Sequence, residues 1–446
     1  MPHILLLGTL DTKHAEVLYL HTQLQQTSTH LSQKTKITLI DCGCRSTSTD
    51  PRISITRNDL VTTYSPEDAP PQETLDSDRG AAIKHIATCA TRCIKHLLST
   101  TKVHAILGTG GSGGTSLISA VMRDAAPIGL PKMIASTVAS GNTGPVVGEC
   151  DITLMYSVVD IAGSNRLLHE VLGNAAGAAL GMAVAYEARL AESQKLVNSE
   201  GKGKEEKIRV GVTMFGVTTP CVDRVRCHLE EKYPVEVYVF HATGHGGKAM
   251  ERLVREGRLD AILDITTTEI CDFIAGGEMS CDDTRLETTL RRGVPNIISV
   301  GATDMVNFGP RDTVPPRYRE RNLFVHNPSV TLMRTSAEEC RRVGQFIVDK
   351  VGRLAKDPEM VEVWIPEGGV SIIATKGGPF ADSAADKLLA DTIRSGLEGT
   401  QIRVVSDERA VNDDGFAVDI ADRLMALVYD SEAFRSKRKE AYIYAV

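Results

Sequence analysis

Short runs rich in leucine and β-branched residues alternate along the chain with longer stretches whose apolar positions recur every three or four residues. In the first half, runs at 3–7, 36–41, 103–107, 132–136 and 152–155 predict strands, and 12–27, 79–99, 115–124 and 164–191 predict helices. The second half restarts in the same way. Strands are predicted at 208–214, 235–240, 259–263, 296–300, 362–365 and 401–405, and helices at 248–256, 337–355, 383–395 and 417–428. Continuous apolar strands separated by helices are the mark of parallel sheets covered on both faces. The fold class is therefore α/β, as two consecutive Rossmann-like domains with mainly parallel sheets.

Between the halves, 200–207 reads EGKGKEEK, a composition that cannot bury itself and suits a linker. This predicts an N-terminal domain at 1–199 and a C-terminal domain at 208–446. The openings GTLDT (8–12) and FGVTTP (215–220) are loosely parallel, each a strand running into a small polar turn, and suggest two similar domains.

Composition narrows the classes. The net charge of −7 over 446 residues, without a basic cluster, excludes a nucleic-acid surface. Aromatic residues are 4% of the chain, too few for base-stacking platforms. The apolar run 175–185 is broken by glycines and falls short of a membrane span, and 4–7 is too short for a signal-peptide core. The expected setting is cytoplasmic, without nucleic-acid or membrane partners. None of the ten cysteines forms a CxxC pair, so they read as buried thiols rather than disulfides or zinc ligands.

The densest chemical signal is LGTGGSGGTSL at 107–117. Gly108, Gly110, Gly111, Ser112, Gly113, Gly114 and Thr115 lie between a predicted strand and a predicted helix. Glycine lets a ligand approach the backbone, and the helix start adds amide donors and a positive dipole end. An anion cradle follows, with a nucleotide phosphate as the expected occupant. The loop lacks the GK[ST] ending of a Walker A motif and the downstream acid of a dinucleotide site. Thr9, Asp11 and Lys13 in GTLDTK, and Ser140 and Gly141 in ASGNTG, stand at other predicted strand ends, where open parallel sheets bind ligands.

The second half offers another glycine loop, HATGHGGK, with Thr243, Gly244, Gly246, Gly247 and Lys248. Thr266, Thr267 and Thr268 follow the next strand and complete a second anion loop on this reading. Acid/base candidates at strand ends are His241, Glu269 and Asp304, with His326 and Lys376 as further polar groups. No HxH or HExxH spacing supports a metal site, and a divalent metal is left open.

At these loops the chain resembles, nearly end to end, the family of the plant tobamovirus-resistance protein. That family has many bacterial and fungal members, is uncharacterised and carries an ATP-binding label. The matching stretches include GTLDTK (8–13), GTGGSGGTSL (108–117), HATGHGGKAMERL (241–253), DITTTEICDFIAGG (264–277), GATDMVNFGPRDTVPPRY (301–318), HNPSVTLMRT (326–335) and GGPFAD (377–382). His245 and IPEGGVSII (365–373) depart from the pattern. The resemblance implies two Rossmann-like subdomains, a homodimer, and ATP or a related nucleotide as ligand. The plant member acts by binding a viral helicase, which implies a protein-interaction module as an alternative. A further alternative is an enzyme acting on a small phosphorylated or carboxylated metabolite at the interdomain cleft, through His241, Glu269 and Asp304.

Overall fold

In the computed structural model the described residues are 1–45, 47–163, 165–199 and 207–431. Six strands build the first sheet: β1 (His3–Gly8), β2 (Lys36–Asp41), β3 (Ile53–Ile55), β4 (Ala105–Gly110), β5 (Lys132–Ser136) and β6 (Ile152–Tyr156). All pair in parallel, in the order β3-β2-β1-β4-β5-β6. β1 and β4 are buried at every position, as an apolar run must be when helices cover both faces. One face packs on helices Arg79–Thr100 and Ser112–Ala125 through Ile86, Cys89, Cys93, Ile118 and Val121. The other packs on His14–His30 and Arg166–Ser199 through Val17, Leu20, Leu172, Ala176 and Leu180.

The second sheet holds β7 (Ile208–Met214), β8 (Val235–His241), β9 (Ala261–Thr266), β10 (Asn296–Gly301), β14 (Val361–Pro366) and β15 (Arg403–Asp407). Its strands are again all parallel, in the order β15-β14-β10-β9-β7-β8. Counted from its own first strand the order is 2-1-3-4-5-6, whereas the first sheet runs 3-2-1-4-5-6. A small antiparallel sheet interrupts the second unit: β11 (Met305–Phe308), β12 (Leu323–Asn327) and β13 (Val330–Arg334), with β13 central.

The chain divides into two compact units, Met1–Gly203 and Lys204–Val446. The expected linker at 200–207 lies, except for Lys207, outside the described residues. Helix Arg166–Ser199 runs beyond the glycine-broken stretch read from the sequence. By length and composition alone, Arg166–Lys195 is apolar enough to cross a membrane. Its leucine and alanine face lies on the first sheet. The ten cysteines are free thiols, and burial pushes the Cys93 thiol up to about 11 and that of Cys221 up to about 12.

Candidate functional site

In the first sheet β1 lies between β2 and β4: the chain passes from β1 to β2 on one side and returns from β3 to β4 on the other. Loops rising from the carboxyl ends of such neighbours part there and leave a crevice, the usual ligand position of open α/β sheets. The two loops at this point are 8–13, after β1, and 110–115, after β4. The first is a tight turn: the amides of Thr12 and Lys13 both donate to the Thr9 carbonyl, at 3.1 and 2.8 Å. Asp41, buried at the end of β2, holds it by accepting the Leu10 amide at 3.3 Å and the Gly43 amide at 2.9 Å. Thr9 and Thr12 share a hydroxyl contact of 3.0 Å. Asp11 is exposed and accepts the Arg45 amide at 3.0 Å. Lys13 is half-buried at the N-cap of helix His14–His30.

In the second loop β4 ends at Gly110, Gly111 caps the helix, and the first helical turn is Ser112, Gly113 and Gly114. The glycines around this point fall into two groups. A Cβ on Gly8 would sit 2.4 Å from Val17 Cγ2, one on Gly108 2.6 Å from Ile118 Cγ2, and one on Gly110 2.9 Å from Gly114 Cα. Those three let helices lie close on strands. Gly111, Gly113 and Gly114 have room: their nearest atoms would be Thr137 Oγ1 at 3.9 Å, Arg79 Nη2 at 3.6 Å and Thr9 Oγ1 at 3.6 Å. None of the three has a positive φ. Neither packing nor backbone conformation asks for glycine there. The first-turn amides of a helix have no partner within it, so this spot offers donors and open backbone together.

Thr115 differs from the sequence expectation. It is buried, donates to the Gly110 carbonyl at 3.1 Å and meets Ser136 Oγ at 2.7 Å, so its hydroxyl braces β4 against β5. Ser112, Ser140 and Gly141 are exposed beyond the carboxyl ends of β4 and β5. Arg79, the first residue of helix Arg79–Thr100, reaches this site but carried no local signal, because only the fold brings it beside a glycine thirty-odd positions away.

The second glycine loop is built otherwise. It follows β8, the edge strand, whereas the switch point of the second sheet lies between β7 and β9. Its glycines are close-packed. A Cβ on Gly246 would meet the His241 carbonyl at 1.9 Å, and one on Gly247 would meet Glu269 Oε2 at 2.3 Å and Arg285 Nε at 2.4 Å. Gly244 has φ +88° and would press on the Ser280 carbonyl at 2.8 Å. Glu269 is wholly buried, accepting the Gly244 amide at 2.8 Å, the Gly247 amide at 3.3 Å and Arg285 Nε at 2.9 Å. Arg285 also makes a two-point pair with Asp264 and lies 3.7 Å from Glu251. Burial works against its charge and is outweighed by these carboxylates, which raise its pKa. The expected anion loop is thus a structural brace, and Glu269 is its anchor rather than an exposed acid. Lys248 pairs with Asp282 at 3.0 Å, and Thr243 remains half-buried at the rim.

Thr266, Thr267 and Thr268 are likewise fully buried. Thr266 bonds back to the Thr213 carbonyl and to Thr218 Oγ1, and Thr267 to the Ser299 carbonyl. The switch point of the second sheet is therefore filled by its own hydroxyls. Asp304 is buried after β10, where Ser371 Oγ donates to its Oδ2 at 2.8 Å, and burial raises its pKa to about 7. His241 is exposed at the end of β8, edge-on to Phe215 with ring centroids 5.5 Å apart. β8 and β10 are three strands apart in the sheet, about 14 Å at about 4.8 Å a step, so His241 and Asp304 do not meet over one reacting atom. His326 is exposed on β12 of the small sheet. Among the described residues no three His, Cys, Asp or Glu side chains gather as metal ligands do.

Comparison with known proteins matches the profile of the uncharacterised protein family UPF0261 twice, its N-terminal domain over 2–188 and its C-terminal domain over 207–428. A UPF0261 protein of Clostridium tetani is 38% identical over 95% of this chain and 98% of its own length. One of Mesorhizobium japonicum is 41% identical over 94% and 98%. The ToMV resistance protein Tm-1(GCR237) of Solanum lycopersicum is 38% identical over 96% of this chain, which spans 56% of the tomato protein.

Proposed function

Because the chain belongs to the uncharacterised protein family UPF0261, we propose from its geometry that the N-terminal unit holds a nucleotide, ATP or a close relative, with its phosphates at the carboxyl ends of β1 and β4. One observation carries the reading. Gly113 and Gly114 stand in the first turn of a helix where alanine would fit and would favour the helix by up to about 1 kcal/mol each. A ligand lying against that backbone is the use such glycines have. Lys13 at the N-cap of helix His14–His30 and Arg79 beside Gly113 supply the charge such a ligand needs.

The test is calorimetric titration of ATP into the wild type and the Gly113→Ala and Gly113→Asp variants. Aspartate at 113 would offer a carboxylate to Arg79 and take the place of a phosphate. Loss of ATP binding in that variant, at an unchanged melting temperature, is the expected result. Wild-type affinity in a folded Gly113→Asp protein would show that this loop is only a turn. Excess ATP should also stabilise the protein, by about 2.7 kcal/mol at a hundredfold excess over Kd.

The enzymatic alternative asks His241, Glu269 and Asp304 to act together. Glu269 is fully buried and held by Arg285 and two amides, and Asp304 is fully buried with one oxygen held by Ser371, which weighs against it.

A further inference from the structure

Three arginines far apart in the chain are tied into one place beside the glycine loop. Arg57, at the start of helix Arg57–Tyr64, donates from Nε to the Cys44 carbonyl at 2.7 Å. Arg45, the next residue after Cys44, donates from Nη2 to the Asp76 carbonyl at 2.5 Å, and its own amide is held by Asp11 of the β1 loop. Three residues beyond Asp76 is Arg79, whose Nη2 lies 3.6 Å from the Cβ position of Gly113. Burial and then Asp11 raise the Cys44 pKa, and the charges of Arg57, Arg79 and Arg45 all act on the same thiol in the opposite direction.

The carboxylates nearby are turned to other work. Asp11 accepts a backbone amide of Arg45, Asp78 caps its helix through the amides of Gly80 and Ala81, and Asp76 accepts from Gln72 Nε2. Three like charges beside the single Asp11 carboxylate still repel one another, and an anion laid between them removes that cost. Guanidinium groups suit phosphate oxygens because they donate in pairs from a planar fork.

We propose that Arg45, Arg57 and Arg79 form a subsite for the outer phosphates of a polyphosphate chain, so that the ligand is a nucleoside di- or triphosphate and not a monophosphate. This rests on the nucleotide reading above, with the inner phosphate on the amides of 112–114.

The experiment titrates ATP, ADP, AMP and inorganic tripolyphosphate into the wild type and into Arg79→Gln and Arg57→Gln, with melting curves as a folding control. The expected result is an affinity order ATP, ADP, AMP, with ATP at least tenfold tighter than AMP. Arg79→Gln should weaken ATP about tenfold and AMP less than twofold. Arg57→Gln should act in the same direction, and a fall in its melting temperature would leave Arg79→Gln to decide. Equal binding of AMP and ATP, or full ATP affinity in folded Arg79→Gln, would overturn the subsite while leaving nucleotide binding in place. Tripolyphosphate binding that is lost in Arg79→Gln, without binding of any nucleotide, would keep the subsite and overturn the nucleotide reading. Binding of none of the four would overturn both.

Discussion

Arg285 and Asp264 face each other in a two-point ion pair, Nη1 to Oδ2 at 2.6 Å and Nη2 to Oδ1 at 2.8 Å, with both side chains about 1% exposed. A third donor of the same guanidinium, Nε, holds Glu269, and Glu269 in turn holds the Gly244–Gly247 turn. Deleting one partner of such a pair strands a buried charge. Arg285→Ala should destabilise the second unit by about 3–5 kcal/mol. Urea unfolding followed by the single Trp364, which lies in that unit, would measure it. A loss below about 1 kcal/mol would mean that the network contributes little.

Alanine should distinguish the two glycine loops by stability alone. At Gly247 a methyl group would enter the space of Glu269 and Arg285, and the expected loss is about 1–3 kcal/mol. At Gly113 the same methyl has ordinary contacts and a helical backbone, so stability should hold or rise by about 0.4–1 kcal/mol. Equal melting temperatures for the two variants would contradict the division of these glycines into packed and open.

The lysines of the two loops make a parallel contrast in binding. Lys248 is paired with Asp282, whereas Lys13 closes the turn after β1, where the phosphates are proposed to lie. Lys13→Met should lower ATP affinity about tenfold or more, as loss of a charge-assisted bond does, and Lys248→Met should leave it unchanged. The reverse pattern would move the ligand to the second unit.

Asp304 gives a pH dependence with a definite sign. Its Oδ2 accepts from Ser371, its Oδ1 has no hydrogen-bond partner among the described residues, and burial raises its pKa from 3.8 to about 7. Between those values the folded chain holds a proton that the unfolded chain has released. Stability from this group is therefore fully present below about pH 4 and is lost as pH rises toward 7, by up to about 1.4 kcal/mol per unit. Asp304→Asn should flatten that slope in chemical denaturation series at successive pH values. An unchanged slope would show that Asp304 is ionised in the folded protein.

The alternation of apolar runs and amphipathic stretches made the parallel strands legible because a buried strand must be apolar along its whole length. What escaped was local structure with a weaker hydrophobic signature. β3 is three residues long, and helix Thr219–Lys232 buries only Cys221, Val222, Val225 and Leu229 among many charges. The antiparallel strands β11–β13 lie in a stretch whose strongest signal is its polar motif. In the first unit the glycine loop and GTLDTK were readable as strand-end turns because each follows an apolar run and opens a helix. The arginines were not, since nothing in the spacing of 45, 57 and 79 shows that three loops converge. In the second unit glycines that look like a cradle serve packing, a distinction set by Arg285, nearly forty residues away.

The two strand orders also bear on ancestry. Without the short edge strand β3 the first sheet runs 2-1-3-4-5 from its own first strand, and the second sheet runs the same with β15 added at the far edge. An edge strand is gained or lost without rerouting the chain through the sheet. The shared order of the other five strands is what copying one segment in tandem would leave, with GTLDT and FGVTTP as corresponding turns after the first strand. Comparative work on this family should therefore align one half on the other with β3 and β15 left out.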